Sequence, residues 1–231
     1  WLRSPGGGAV RWHGFAPVVL MAGASSRATP WPWLQRAWVK PLVFVACLAP
    51  LAWLVVAAAS NALGANPAEA LIRSLGEWAL RFLCLALAVT PLRQLTGQPA
   101  LARLRRMVGL WAFAYALLHL LAYAWLDRGL EWSELLADIA QRPFILVGTL
   151  AWGLLLLLAL TSFDAAIRWL GGKRWRALHR AVYLVVPLAL LHFYWMRAGK
   201  RNWLEVGVYA LVLGLLLGWR AYSAWRARRR G

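Results

Sequence analysis

Six apolar runs of 15 to 20 residues take up nearly half of this 231-residue chain: Pro41–Ala59, Trp78–Leu92, Met107–Leu126, Phe144–Phe163, His179–Met196 and Trp203–Trp219. At a rise of about 1.5 Å per helical residue, runs of this length approach or match the roughly 30 Å hydrocarbon core of a bilayer. In lipid each backbone group must find its partner within the segment, so the runs read as helices rather than strands. With 62% hydrophobic residues and 17 Trp, the composition excludes a soluble domain of this size. The expected fold class is therefore all-α, an integral membrane bundle of about six transmembrane helices. The second run is the shortest and carries Arg81 one turn in, where its guanidinium is expected to snorkel to the interface.

A net charge of +18 invites a nucleic-acid reading, but the placement of the charge argues against it. Of 26 Lys and Arg, 19 fall in alternate non-membrane segments that include both termini, six fall in the others, and Arg81 lies within a run. The positive-inside rule then puts both termini in the cytoplasm. Anionic lipid and topology account for the basic clusters, and no nucleic-acid partner is expected. Arg197, Lys200 and Arg201 make the one basic loop on the far side.

Cys47 and Cys84 both lie inside runs, so neither reads as a loop disulfide. The chain has no CxxCH, no GxGxxG and no P-loop, which removes covalent c-type haem and the recognisable nucleotide fingerprints. Residues 1–40, without an initial Met and rich in Gly, Pro, Ser and Trp, read as a leader that is disordered or includes a mis-called start, with Met21 as the true one. Residues 41–222 form the membrane domain and 223–231 a basic cytoplasmic tail. The acidic connection Asp127–Pro143 is expected to carry a short amphipathic helix over Leu130–Ile139, lying on the outer surface.

Three of the four histidines, His119, His179 and His192, sit in the apolar runs, whereas His13 lies in the leader. An ionisable side chain in a membrane helix is a functional-site hypothesis by default, and neutral imidazole is a common axial ligand of haem iron. Helices three and five run in the same direction. His119 follows Arg106 by 13 residues and His192 follows Arg180 by 12, so both lie roughly 18–20 Å from the cytoplasmic edge. Bis-imidazole ligation of one haem by this pair is geometrically consistent. His179 lies about 20 Å deeper toward the cytoplasm, with Arg105 or Arg106 rather than a histidine at the matching depth of helix three. Thirteen residues turn a straight helix by about 220°, so only a bend, for which Pro187 is placed, aligns His179 with His192. The plain alternatives are a hydrogen bond to a neighbouring helix or, for His179, a headgroup contact.

Arg103, Arg105 and Arg106 precede helix three, and Lys173, Arg174 and Arg176 precede helix five. They either set topology or pair with haem propionates or the acidic groups of a flavin or quinone partner. Trp175 and Trp195 flank the His-bearing helix, and Asp164 and Glu205 sit at helix ends with no special role expected. Gly109, Ala112, Ala114, Gly148 and Gly153 permit close helix packing or leave room for a flat macrocycle.

The stretches Arg105–His119 and Gly172–Tyr183, with His192-Phe-Tyr-Trp195 and Val89-Thr-Pro-Leu92, resemble the MsrQ family over about residues 40–222. These are haem-binding membrane subunits of bacterial methionine sulfoxide reductase systems. The histidine spacings of 60 and 13 fit the same family. More distantly the pattern resembles the ferric reductase and NADPH oxidase transmembrane domain, in which four histidines on two helices hold two stacked haems. Three of those positions are kept here, and Arg105 falls near the fourth.

The resemblance implies an inner-membrane electron conduit, an electron-transfer subunit rather than a catalytic one. It implies haem b, one or two per chain, and FMN. His119, His192 and His179 would be the metal ligands, with Arg105, Arg106 and Arg174 at the cofactors. Electrons would enter from the quinone pool or a cytoplasmic flavin reductase and leave to the periplasmic molybdopterin reductase MsrP, with Arg197–Arg201 as a docking patch. Two alternatives stand beside this. One is a ferric-chelate reductase or oxidase core separated from its flavin domain. The other is a small transporter or assembly factor whose histidines relay protons or bind a metal, against which stand the lack of carboxylates within the runs beyond their ends and the lack of broken-helix pairs.

Overall fold

The computed structural model describes residues 31–198 and 203–229, all of them helix, turn or connection. The helices are α1 (Val39–Ala59), α2 (Pro67–Thr96), α3 (Ala102–Ala122), α4 (Trp132–Gln141), α5 (Pro143–Leu160), α6 (Asp164–Leu178), α7 (Val182–Ala198) and α8 (Trp203–Arg228). Six segments are long and apolar enough to cross a membrane, and the chain is a multi-pass membrane protein. Packing runs α2–α3–α5–α7–α8 and back to α2, which closes a ring of five helices, with α1 outside it against α2 and α3. One end of the ring, the basic end, carries Arg93, Arg103 to Arg106 and Arg220 to Arg229. The other, the acidic end, carries α4 and the connection around it.

Helix α2 is twice as long as the apolar run that announces it: 30 residues, beginning at Pro67 rather than Trp78. Its start is a capped one. The Asn66 side chain accepts the Glu69 N–H at 3.2 Å, and Pro67 takes the first helical position. The polar first half is carried by the i, i+4 pairs Glu69–Arg73 and Glu77–Arg81, and Gly97 ends the helix at φ +66°. Arg81 therefore does not snorkel. It bonds Glu77 at 3.1 Å and the Tyr209 hydroxyl at 3.2 Å, and its guanidinium lies over Trp78.

The expected loop between spans four and five is also helical, as α6, broken at Gly171 where φ +73° excludes most side chains. His179–Ala181 then tightens into a 3-10 turn before α7, which contains Pro187. The His179–His192 segment is thus not a straight helix, and straight-helix phase does not apply to it.

At the N-terminal side, Leu34 buries itself beside Ala100, and Arg103 donates to its carbonyl at 2.6 Å, so the last residues of the expected leader are structured. The rest of that leader, residues 1–30, lies outside the described residues. In α1, Pro50 interrupts the donor ladder. The fully buried Tyr115 hydroxyl sits one residue on, accepting from Leu51 N–H (3.0 Å) and donating to the Cys47 carbonyl (2.9 Å). α4 forms at Trp132–Gln141, with Leu135 and Asp138 inward and Trp132 and Leu136 exposed, close to the expected amphipathic segment.

Candidate functional site

Two cavities lie inside the ring, one toward each end. The cavity toward the acidic end has a volume of about 390 Å³ and is lined by His119 from α3 and His192 from α7. Their ring centroids are 6.2 Å apart, with the planes 77° from parallel. Each ring is fixed from behind by a backbone carbonyl: His119 Nδ1 meets Ile72 O at 2.8 Å, and His192 Nδ1 meets Phe144 O at 2.7 Å. Nδ1–H donating to a carbonyl selects the tautomer whose Nε2 lone pair is free to ligate, which is the usual arrangement behind a metal-bound histidine.

Glycines make room for both rings. A Cβ on Gly76 of α2 would come within 3.0 Å of His119 Nδ1, and one on Gly148 of α5 within 2.7 Å of His192 Nδ1. These two positions can therefore carry no larger residue without moving an imidazole.

The donor set fits a bis-imidazole metal. Two imidazoles bound to one ion through nitrogen bonds of about 2.0–2.1 Å would place their centroids about 6 Å apart, close to the observed separation. Among the described residues there is no cluster of three or more His, Cys, Asp or Glu that could form an all-protein cage, so this pair is the ligating feature available.

The same cavity carries charge in balance: Arg73, Arg142 and Arg197 against Glu69, Glu77 and Asp127. Arg197 is buried, with 8% of its surface exposed, and pairs with Glu77 and with Glu205 at 3.0 Å. This corrects two sequence expectations. Arg197 is not part of a free docking patch, and Lys200 and Arg201 lie outside the described residues. A carboxylate, Glu77, does lie within a spanning helix. The signal for it was in the sequence, since Glu77 precedes Arg81 by four residues.

The second cavity, about 440 Å³ toward the basic end, is lined by His179, Trp175 and five arginines: Arg93, Arg105, Arg106, Arg176 and Arg220. No carboxylate is among its described lining residues. Arg106 does pair at 2.6 Å with Asp164, which gives that helix-end residue a partner. Arg220 reaches in from α8, donating to Tyr183 OH and the Leu87 carbonyl, both at 2.9 Å, while its buried Nε has no partner.

His179 differs from the other two histidines. Its Nε2 is 3.2 Å from Thr161 Oγ1, and its ring stacks on Trp175 with centroids 4.1 Å apart. Trp175 is held in turn by donating to Thr161 O at 2.8 Å. Among its described lining residues there is no other histidine and no Cys or Met, so these supply no second imidazole or sulfur donor beside His179. Arg105 and Arg106 line the cavity with His179, whereas Arg174 lines neither cavity; Arg176, two residues on and likewise exposed, borders it instead. Arg93 and Arg220 stand out in the sequence only as charges at the ends of apolar runs, indistinguishable there from topology determinants.

Leu83 and Leu155 line both cavities and form the partition between them. Beside them Phe113, on the basic-end side, faces Trp152, on the acidic-end side, at 6.5 Å.

Residues 75–190, which contain His119 and His179 and end two residues before His192, match the family described as ferric reductase like transmembrane component. Three relatives bear the name protein-methionine-sulfoxide reductase heme-binding subunit MsrQ. That of Polaromonas naphthalenivorans is 59% identical over 86% of this chain and 91% of its own length. That of Bordetella pertussis is 54% identical over 82% and 92%. That of Caulobacter vibrioides is 46% identical over 85% and 91%. No solved structure matches. Identity at this level over nearly the whole described membrane bundle shows that the chain belongs to the MsrQ family of haem-binding subunits, built on a ferric reductase-like transmembrane domain.

Proposed function

We propose that this chain carries electrons across the bacterial inner membrane, both termini cytoplasmic, through one haem b held by His119 and His192. The observation that carries the proposal is the imidazole pair 6.2 Å apart with both Nδ1 atoms tied to carbonyls. When bound, haem supplies a reversible one-electron iron couple whose potential the ligands and burial tune.

The protein's own part is to hold, orient and keep dry. Ile72 and Phe144 fix the imidazole tautomers and raise their basicity as ligands. Gly76 and Gly148 admit the rings, and Leu80, Leu83, Trp152 and Phe193 wall the space with apolar surface.

The second cavity is the entry side. Five arginines, of which Arg106 is paired with Asp164 outside the lining, favour a ligand carrying phosphate, and the stacked Trp175–His179 pair offers a flat aromatic surface. That combination suits FMN better than a second haem, for which His179 has no opposite ligand. Arg105 and Arg106 take the cofactor-binding role there, shared with Arg176 rather than Arg174. Electrons then enter from a cytoplasmic flavin reductase or the quinone pool and leave at the acidic end to the periplasmic molybdopterin reductase MsrP, which repairs oxidised methionine. The exposed basic helix ends meet anionic lipid.

The test is the optical spectrum of detergent-purified protein with haem quantified as its pyridine haemochrome. Expected is a reducible low-spin b-type spectrum in the wild type that collapses in His119→Ala and in His192→Ala but persists in His179→Ala. A colourless wild type expressed with ample haem, or a spectrum that survives both substitutions, would sink the proposal.

A further inference from the structure

A closed polar ring joins three helices around the His119–His192 cavity. Glu205 on α8 pairs with Arg197 on α7; Arg197 pairs with Glu77 on α2; Glu77 pairs with Arg81; and Arg81 bonds Tyr209, one turn along α8 from Glu205. Two members line the cavity itself, Glu77 and Arg197. Both are attached closely to the imidazoles. Glu77 follows Gly76, where a Cβ would meet the His119 ring, and Arg197 follows His192 by five residues on the same helix.

Burying two opposite charges beside an electron site is costly, and a hydrophobic replacement would serve packing as well or better. Neither group has a proton-transfer or ligating role in the site as described. What the pair does supply is a fixed field of opposed sign at the space between the rings, in surroundings where water screens little.

We infer that Glu77 and Arg197 set the midpoint potential of the metal bound by His119 and His192, as an opposed pair of positioning charges. The inference rests on the haem reading above. Reduction lowers the charge on the iron by one. The Glu77 carboxylate therefore disfavours the reduced state and Arg197 favours it, and their near-cancellation leaves the site poised. Removing one charge exposes the other. A unit charge about 10 Å away, at an effective dielectric of about 20, changes the reduced-to-oxidised ratio at fixed ambient potential roughly tenfold.

The experiment is a spectroelectrochemical titration of the haem in the detergent-solubilised full chain, in four variants beside wild type. Glu77→Gln, which keeps the shape and a hydrogen-bonding head, is expected to raise the reduced-to-oxidised ratio about tenfold at the wild-type midpoint. Arg197→Gln is expected to lower it by a similar factor, Arg197→Lys to stay near wild type, and the double Glu77→Gln/Arg197→Gln to return toward it. Haem content and the low-spin spectrum are recorded for each, so that loss of the site is separated from a shift in potential. Shifts of the same sign in the two single Gln variants, or none, with haem retained, would overturn this inference and leave the haem reading intact. Should Arg197→Gln fail to fold, Glu77→Gln against Arg197→Lys still decides it, because equal potentials in those two contradict the inference. Absence of haem from the wild type would instead overturn the reading beneath it.

Discussion

The two cavities are separated by little more than Leu83 and Leu155, yet they are built on opposite plans. Toward the acidic end, three arginines meet three carboxylates and two histidines are immobilised through Nδ1. Toward the basic end, five arginines line the cavity with no carboxylate among its described lining residues, Arg106 being paired with Asp164 outside the lining, and the one histidine has its Nε2 engaged by Thr161 and its face covered by Trp175. A balanced field around fixed donors suits a permanent one-electron centre. An unbalanced positive cavity suits an anion arriving from the basic end, whose charge completes the site. On the proposed reading, the contrast teaches that two cavities of one ferric reductase-like bundle can serve different chemistry.

Substitution at the glycines should give the largest effect. Gly148→Val puts branched carbon where even a Cβ lies 2.7 Å from His192 Nδ1, and haem content is expected to fall by more than tenfold while bound flavin is kept. Gly76→Ala, at 3.0 Å, should lose less than Gly148→Ala. Equal haem content in all three glycine variants would break the claim that the rings are held rigidly.

Smaller effects sharpen the other half of the comparison. Arg176→Gln and Arg220→Gln should each weaken FMN binding about ten- to a hundredfold, as for loss of a charge-assisted hydrogen bond of about 1.5–3 kcal/mol, with haem unchanged. Fluorescence titration of FMN into flavin-stripped protein measures this. The affinity should also fall with added salt at this open, arginine-lined cavity. An FMN affinity untouched by either substitution would return His179 to the position of a second haem ligand.

The smallest effect is structural and concerns α1. Tyr115→Phe removes the hydroxyl between Leu51 N–H and Cys47 O, and thermal or denaturant unfolding in detergent should show a loss of about 1 kcal/mol. Haem and flavin content should both stay at wild-type levels, because that bond lies on the α1 side of the ring.

Much of this was legible in the chain. The apolar runs announce six spans because lipid leaves no other economy for so many aliphatic residues. The common depth of His119 and His192 follows from counting residues after Arg106 and Arg180. The first half of α2 was not legible from hydropathy, because Glu69, Arg73, Glu77 and Arg81 lower it, although their spacing by four and the Asn66-Pro67 start mark a helix. Hydropathy likewise hid α6, where Gly171 and the charges around it read as a connection. Which arginines line a cavity could not be read at all. Arg174 and Arg176 look alike in sequence and both are exposed, and only the fold shows that Arg176 borders the cavity while Arg174 does not. Arg197 looked exposed because its partners, Glu77 and Glu205, lie 120 residues before it and on the following helix.

The most direct test of two unlike sites is cofactor stoichiometry. Protein purified in mild detergent, with amino-acid analysis as the reference, would be assayed for haem by pyridine haemochrome and for flavin by fluorescence after acid release. Expected is about one haem and up to one FMN per chain, with the haem lost on substituting His119 or His192 and the FMN lost on substituting the arginines around His179. Two haems per chain with no flavin, one of them lost in His179→Ala, would contradict it.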